Sequence, residues 1–196
     1  MGGIIRPAHA RDIDLLIWAK DTASEGVGRI LRRADDVPIA VTDAAWRDET
    51  AAKIAAPDTS LRISNWFVAG NGQGQGAALL SYPMLAPPEV GETTPALLHP
   101  LLALMRRAIG TFYVDSVAVQ PQARGAGLAR ALMIGAETRA TTAGFDRLTL
   151  IALSSNDAAR PLYFDLGYSD AEEVALVPSA WAPAAKSAFL MEKRLS

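Results

Sequence analysis

The chain has 196 residues, of which half are apolar and 20% are charged, a composition typical of a folded globular protein rather than a disordered one. The net charge of -2 supplies no basic field for the backbone of a nucleic acid, so nucleic acid is not an expected partner. The chain has no cysteine, which excludes disulfides, thiolate metal sites and a cysteine nucleophile. We predict a single domain over residues 1–196.

Targeting and metal-binding signals are not expected in this sequence. Arg6 and Arg11 interrupt the N-terminal region, where a secretory signal needs an unbroken apolar core. No apolar run approaches the ~18 residues that span a bilayer. The sequence has two histidines, His9 and His99, which lie far apart and offer few ligands for a metal site. We therefore expect a cytoplasmic protein with no membrane contact and no metal.

The first third of the chain predicts one short strand and two helices. Residues 3–8 read as the strand, and residues 10–24 follow as an amphipathic helix that the segment SEGVGRI breaks. A second helix is predicted over residues 42–55, with Thr42 or Asp43 as its N-cap.

A hairpin and an irregular segment follow. Residues 65–84 contain two apolar runs around a turn rich in Asn and Gly, which indicates two antiparallel strands. Residues 84–110 contain several prolines and one short helical pattern over residues 101–108. This segment either connects the elements across the surface or covers a substrate site.

The second half of the chain alternates strands and helices. Residues 111–119 are rich in aromatic and β-branched residues, as in a central strand, and a glycine-rich turn then leads into an amphipathic helix over residues 122–144. A strand over residues 146–153, a short helix over residues 156–167 and a terminal strand over residues 187–195 complete the pattern. This order predicts an α/β or mixed α+β layered fold.

The turn with the sequence RGAGLA is the strongest local signal for a ligand. It comprises Arg124, Gly125, Ala126, Gly127, Leu128 and Ala129. Backbone amides at a helix N-terminus, left accessible by small residues, bind anions such as a pyrophosphate, and the arginine adds a charge-assisted contact. The turn lacks the spacing of a P-loop and of a Rossmann dinucleotide site, so neither a nucleoside triphosphate nor NAD is indicated.

Asn156 and Tyr163 form a second candidate feature. The seven residues between them correspond to about two helical turns, which predicts that they share one side of a helix. Pro161 falls in the first turns and would shorten or kink this helix. Taken by themselves, the two residues are better explained as a helix N-cap and a core aromatic.

Together these segments resemble the acetyl-CoA-binding core of the GNAT N-acetyltransferases. The resemblance lies in the order strand, R-G-x-G-L-A, helix, strand, N-x-x-A-x-x-L-Y-x-x-L-G-Y, and it is strongest over residues 111–174. It implies a central, mostly antiparallel sheet that is flanked by helices and contains a splayed pair of central strands. It also implies an N-acetyltransferase that moves an acetyl group from acetyl-CoA directly to a primary amine.

The resemblance also implies roles for individual residues. The main chain of Val117, Ala118 and Val119 would pair with the pantetheine arm, while the loop from Arg124 to Ala129 would hold the pyrophosphate. Asn156 would contact the pantetheine, and the Tyr163 hydroxyl would point at the thioester sulfur as general acid. A homodimer is common in the family and is a possible assembly for this chain.

The general base and the acceptor stay open at this stage. An alkylammonium has a pKa of ~10.4, so a carboxylate or a chain of waters must take its proton. Asp115 shares a strand face with Val117, and Glu25 lies in a segment that resembles the acceptor-lining region of the family. The acceptor is a small-molecule or protein amine. The alternative function is a non-catalytic module that binds or senses acyl-CoA.

Overall fold

The computed structural model describes residues 4–31, 39–70, 76–86, 91, 94–179 and 181–195, with residues 4 and 39–41 described by their backbone alone. The strands are β1 (Ile4–Pro7), β2 (Trp66–Gly70), β3 (Gly76–Pro83), β4 (Phe112–Val119), β5 (Arg147–Leu153), β6 (Ser169–Ala175) and β7 (Ser187–Arg194). The helices are α1 (Ile13–Ala23), α2 (Val27–Ile30), α3 (Ile39–Ala55), α4 (His99–Arg107), α5 (Leu128–Thr142) and α6 (Arg160–Asp165).

The strands form one mixed sheet in the order β1-β2-β3-β4-β5-β7-β6. β4 and β5 are parallel, whereas β1 with β2, β2 with β3, β5 with β7 and β6 with β7 are antiparallel. The parallel register joins Phe112–Val114 to Leu148–Leu150, although β5 continues to Leu153. The predicted mixed sheet flanked by helices is therefore confirmed, and the splayed central pair stays a prediction.

The chain divides into two compact units. One contains Met1–Ser81 with Ser116–Gly135, and the other contains Tyr82–Asp115 with Ala136–Ser196. The division cuts through β3, β4 and α5, so neither unit is a continuous stretch of chain. A single domain over residues 1–196 stays a prediction.

Each unit has its own apolar interior. In the first unit, Leu16 of α1 and Leu79 of β3 are fully buried with Trp66, whose indole N–H donates to the Leu61 carbonyl at 2.8 Å. In the second, Leu148 and Met191 are fully buried. Burial of each such large side chain contributes about 1.5–3 kcal/mol, and the bonded indole avoids the cost of an orphaned donor.

The structure differs from the sequence-based predictions at three places in the chain. α3 begins at Ile39, so Thr42 and Asp43 lie inside the helix, and the assignment of either residue as N-cap is wrong. The segment predicted to interrupt the first helix contains the short helix α2. β6 was not expected, because its acidic sequence SDAEEVA has low strand propensity. The turn of the predicted hairpin, residues 71–75, lies outside the described residues.

A charged pair joins the end of β1 to the beginning of the first helical segment. The Arg6 guanidinium donates to both carboxylate oxygens of Asp12, at 2.7 and 2.8 Å, and the His9 amide donates to Asp12 Oδ2 at 2.8 Å. These bonds hold the pKa of Asp12 below its ordinary value, mainly through Arg6. Such a two-pronged contact fixes the direction of the chain as well as the distance between the two side chains.

Among the helices in the described part of the chain, none is long and apolar enough to cross a membrane.

We predict that Asp12→Asn lowers the free energy of unfolding by about 1–2 kcal/mol, because it removes a charge-assisted two-pronged contact. A lowered carboxyl pKa means that the ionised form stabilises the folded state. The difference from the wild type should therefore be full above the ordinary carboxyl range and shrink as the pH falls through the lowered pKa of Asp12. Urea unfolding between pH 3 and 7 measures this dependence.

Asp14→Asn is the matched control, because Asp14 forms its ion pair with Arg47 at an exposed position of the same helix. Exposed pairs contribute little, so we expect this change to alter stability by less than about 0.5 kcal/mol. Equal losses in the two variants would contradict the role of Asp12.

Candidate functional site

The turn between β4 and α5 is anchored at its base to the beginning of β3. The Gln120 amide donates to the Gly76 carbonyl at 2.9 Å, and the Gly76 amide donates to Gln120 Oε1 at 2.8 Å. A short 3-10 helix over Pro121–Ala123 then leads to the glycines before α5. The ends of the turn are thus held by regular structure, which favours a preformed backbone conformation.

Gly125 and Gly127 give this turn its shape. Their φ angles of 78° and 74° lie in the left-handed region, which glycine adopts without the steric cost that a side chain brings. A Cβ atom built on either residue meets no heavy atom within 4 Å, and both residues are exposed. The space beside these glycines is therefore open for a ligand to approach the main chain.

The beginning of α5 offers donors and positive charge in that space. The Ala131 amide donates to the Gly127 carbonyl at 3.0 Å, while the amides before it have no carbonyl one turn earlier in the helix. The exposed side chains of Arg124 and Arg130 flank the turn, and residues 120–130 contain no acidic residue. Together with the helix dipole, this arrangement is suited to a phosphate or pyrophosphate.

The end of β4 leads into the turn, and alternate residues of this stretch are half-exposed. Val117 and Val119 are partly exposed, whereas Ser116 and Ala118 on the opposite face are buried. The register with β5 includes no residue of this stretch. A separated strand end can accept an extended ligand by backbone pairing. The roles of Val117, Ala118 and Val119 toward a pantetheine arm stay predictions.

Asp115, one candidate base, lies half-buried on β4. The Tyr82 hydroxyl donates to Asp115 Oδ2 at 2.9 Å. The Tyr113 ring is 5.8 Å from the Tyr82 ring, and the pKa of Tyr113 is raised well above its ordinary value by burial and then by the charge of Asp115. The sequence did not indicate this partner, because nothing in it reveals that the end of β3 lies beside Asp115.

Glu25, the other candidate base, lies between α1 and α2 with an exposed side chain. Its φ angle of 50° is in the left-handed region, an unusual conformation for a residue with a side chain. Partial loss of solvent raises the pKa of its carboxyl above the ordinary value. Strained residues of this kind cluster at functional sites, so Glu25 also stays a candidate.

Asn156 caps a turn rather than beginning the helix. Its Oδ1 accepts from the Ala159 amide at 3.1 Å, and the helix α6 begins at Arg160. Pro161 explains the late start, because it lacks an amide and fits only the first turn of a helix. The expectation that Asn156 and Tyr163 share one regular helix is therefore wrong, because Asn156 lies four residues before the start of α6.

Arg160, which the sequence analysis did not identify, attaches α6 to the strands of its unit. Its guanidinium lies 4.0 Å from the Phe189 ring centroid on β7 and donates to Asp170 of β6 at 2.9 Å. A cation over an aromatic face and a charge-assisted hydrogen bond both stabilise this placement. Because α6 is only six residues long, these contacts are important in orienting Tyr163.

Tyr163 is buried on α6, and burial raises its pKa to about 12. Its ring lies 6.0 Å from the ring of Tyr168, whose buried hydroxyl has no hydrogen-bond partner among the described residues. Burial also raises the pKa of Tyr168, with a smaller contribution from the charge of Glu137. At neutral pH, Tyr163 is thus a fully protonated donor.

The two units contribute different members of the predicted site. The first contains Glu25, Val117, Ala118, Val119, Arg124, Gly125, Ala126, Gly127, Leu128 and Ala129. The second contains Asp115, Asn156 and Tyr163. The turn is therefore complete within one unit, and the candidate general acid belongs to the other.

Residues 101–168 match the family model described as the acetyltransferase (GNAT) family. Among solved structures, a polyamine N-acetyltransferase from Drosophila melanogaster is similar, with 17% identity over 98% of this chain and 99% of that chain and a TM-score of 0.67. A ribosomal-protein alanine N-acetyltransferase from Escherichia coli is 18% identical over 100% of this chain and 95% of that chain, with a TM-score of 0.57.

A histone acetyltransferase and related acetyltransferase from Corynebacterium glutamicum is 18% identical over 100% of this chain and 98% of that chain, with a TM-score of 0.64. None of the curated proteins compared matches the sequence. At these identities the solved structures show a shared fold. The similarity to the GNAT acetyltransferase family lies in residues 101–168 of this chain.

Proposed function

We propose that the chain is an acetyl-CoA-dependent N-acetyltransferase in which an amine attacks the bound thioester directly. The turn from Arg124 to Ala129 carries this proposal, since it presents open backbone amides and two flanking arginines at the beginning of α5. A pyrophosphate is the part of acetyl-CoA that such a turn binds best. The half-exposed end of β4 supports backbone pairing with the pantetheine arm.

The reaction needs no metal and no covalent enzyme intermediate. A neutral amine nitrogen forms a bond to the thioester carbonyl carbon, and the carbon–sulfur bond then breaks to release the CoA thiolate. The amine nitrogen loses one proton to a base, and the thiolate gains one from an acid. The products are the acetylated amine and the free thiol, so atoms and charges balance.

Tyr163 is proposed as the donor to the leaving sulfur. With a pKa of about 12 it stays protonated throughout the physiological range. A thiol has a pKa of ~8.5, so complete proton transfer to a free thiolate would be uphill from this tyrosine. Its main contribution is then a hydrogen bond to sulfur that strengthens as negative charge develops in the transition state.

Asp115 and Glu25 are proposed as alternative bases. Asp115 is half-buried and bonded to Tyr82, which fixes its position. Partial burial raises the carboxyl pKa of Glu25, so this carboxylate accepts a proton more readily than an ordinary glutamate does.

Separate Asp115→Asn and Glu25→Gln variants distinguish the two candidate bases. Only loss of the true base should abolish the acidic limb of the pH profile of kcat/KM.

The acceptor is proposed to be a primary amine of a class still to be identified. The structural neighbours include enzymes described for a polyamine and for a ribosomal protein, so the shared fold does not select between small-molecule and protein amines. A panel should therefore include protein N-termini, lysine peptides, polyamines, amino acids and amine antibiotics. Amine-dependent release of the CoA thiol would support the proposed function, and acetyl-CoA binding without release would favour a non-catalytic binding module.

We predict that Tyr163→Phe lowers kcat by about 100-fold or more, because it removes the proposed donor to sulfur. The dissociation constant for acetyl-CoA should stay within about twofold, because the ring that packs in the unit is retained. Steady-state kinetics and calorimetric titration measure the two quantities. Unchanged turnover would remove Tyr163 from the chemistry.

Tyr168→Phe is the matched control for Tyr163→Phe. It removes the hydroxyl of a neighbouring buried tyrosine, and that hydroxyl has no partner among the described residues. We expect kcat to be unchanged and stability to be equal or slightly higher, since an unsatisfied buried polar group is removed. A loss of turnover equal to that of Tyr163→Phe would indicate a packing effect common to both rings.

We also predict that Gly127→Ala weakens acetyl-CoA binding about tenfold or more, because the new methyl group would enter the open space beside the amides. Gly144→Ala is the control at the other end of α5. Gly144 has a φ of 81° and a similarly open surrounding, so its variant has the same backbone strain. Equal affinities in the two variants would argue against phosphate binding at the turn.

A further inference from the structure

The end of β3 holds Tyr82 in a fixed position. Tyr82 is buried and is followed by Pro83, whose ring restricts the backbone. Just beyond the strand, the Met84 amide donates to the Thr111 carbonyl at 3.0 Å, and the Gly110 amide donates to the Met84 carbonyl at 2.8 Å. These bonds join the chain after Tyr82 to the residues that lead into β4, so the phenol has little freedom to move.

The phenol contacts Asp115 directly. The hydroxyl donates to Asp115 Oδ2 at 2.9 Å, and the contact is partly buried. The Tyr82 ring also packs against Tyr113, with ring planes inclined by 60°. Tyr113 and Asp115 are two residues apart on β4 and therefore face the same side of the strand. The carboxylate is thus held beside two buried aromatic rings.

Asp115 occupies a special position along β4. Val114, the residue before it, pairs with Leu150 as the last residue pair of the β4–β5 register. Asp115 is therefore at the point where the parallel pairing ends. Its hydrogen bond from Tyr82 is then a described contact that orients the carboxylate.

We propose that Tyr82 is a positioning residue for acetyl transfer: its hydroxyl holds the Asp115 carboxylate in the orientation from which it accepts the proton of the bound amine. This inference rests on the proposed function and on the choice of Asp115 as base. Tyr82 acts through Asp115 and itself exchanges no proton with the substrate. Its contribution is orientation and a hydrogen bond to the ionised form of the carboxylate.

The hydrogen bond from Tyr82 affects how easily Asp115 is protonated. A hydrogen bond from a phenol to a carboxylate is charge-assisted and favours the ionised carboxylate. The charge of Asp115 already affects its surroundings, since it contributes with burial to the raised pKa of Tyr113. Among the described contacts, the Tyr82 hydroxyl from β3 donates to Asp115, and the Tyr113 ring of β4 packs against Tyr82. Removing the Tyr82 hydroxyl should therefore make Asp115 easier to protonate.

The first test is an NMR titration of the ¹³C-labelled aspartate carboxyls in the full, ligand-free chain. For Tyr82→Phe we expect the Asp115 titration to move upward by about one pH unit, because one hydrogen bond to the charged form is lost. Tyr113→Phe is the matched control, since it removes a hydroxyl from the adjacent ring and keeps the packing. Its Asp115 titration should stay within about 0.3 pH units of the wild type.

The second test is the pH profile of kcat/KM with the panel amine that gives the fastest thiol release. In Tyr82→Phe the acidic limb should move to higher pH by as much as the Asp115 titration does, and the dissociation constant for acetyl-CoA should be unchanged. If neither the Asp115 titration nor the acidic limb moves in Tyr82→Phe, the inference about Tyr82 is overturned. Turnover by the wild type would in that case leave the proposed function intact. If no amine of the panel causes release of the CoA thiol, both the proposed function and the inference about Tyr82 are overturned. An acidic limb that persists in Asp115→Asn would exclude Asp115 as the base through which Tyr82 acts.

Discussion

The end of the parallel pairing between β4 and β5 is the constraint on which the rest of the site depends. Three residue pairs hold the two strands together, and the register ends at Val114 although β5 continues to Leu153. Beyond that point alternate residues of β4 are half-exposed, and the strand then leads into the glycine-rich turn before α5. One strand therefore carries a candidate base, a candidate pairing edge and the approach to the turn proposed to bind the pyrophosphate.

Much of the fold could be predicted because its strongest elements have strong local signals. The strand at 111–119, the glycine-rich turn and the amphipathic α5 follow from aromatic and β-branched content, small residues and helical periodicity. β6 could not be found in this way, because an exposed outer strand needs no apolar alternation and its three acidic residues suit its exposed position. The position of α3 was misjudged for a related reason, since a Thr that resembles a cap is buried inside the helix.

The candidate site was predictable only where a single segment contains it. The turn from Arg124 to Ala129 is such a segment, and its open glycines match the expectation. The contact between Tyr82 and Asp115 joins residues 33 positions apart, and the contact between Arg160 and Phe189 depends on the packing of α6 on β7. Neither can be seen in periodicity or motif spacing, because both depend on which strands become neighbours. Tertiary contacts of this kind decide how a reactive side chain is oriented.

The most direct test of the account compares acetyl-CoA with S-acetylpantetheine, which retains the thioester and lacks the pyrophosphate. S-acetylpantetheine also lacks the adenosine 3′-phosphate, so calorimetric titration of both the wild type and Gly127→Ala with each compound separates the contribution of the turn from that of the rest of the site. If the turn holds the pyrophosphate, acetyl-CoA binds saturably and S-acetylpantetheine binds at least about 100-fold more weakly. Equal affinities for the two compounds, or no binding of acetyl-CoA, would contradict the account.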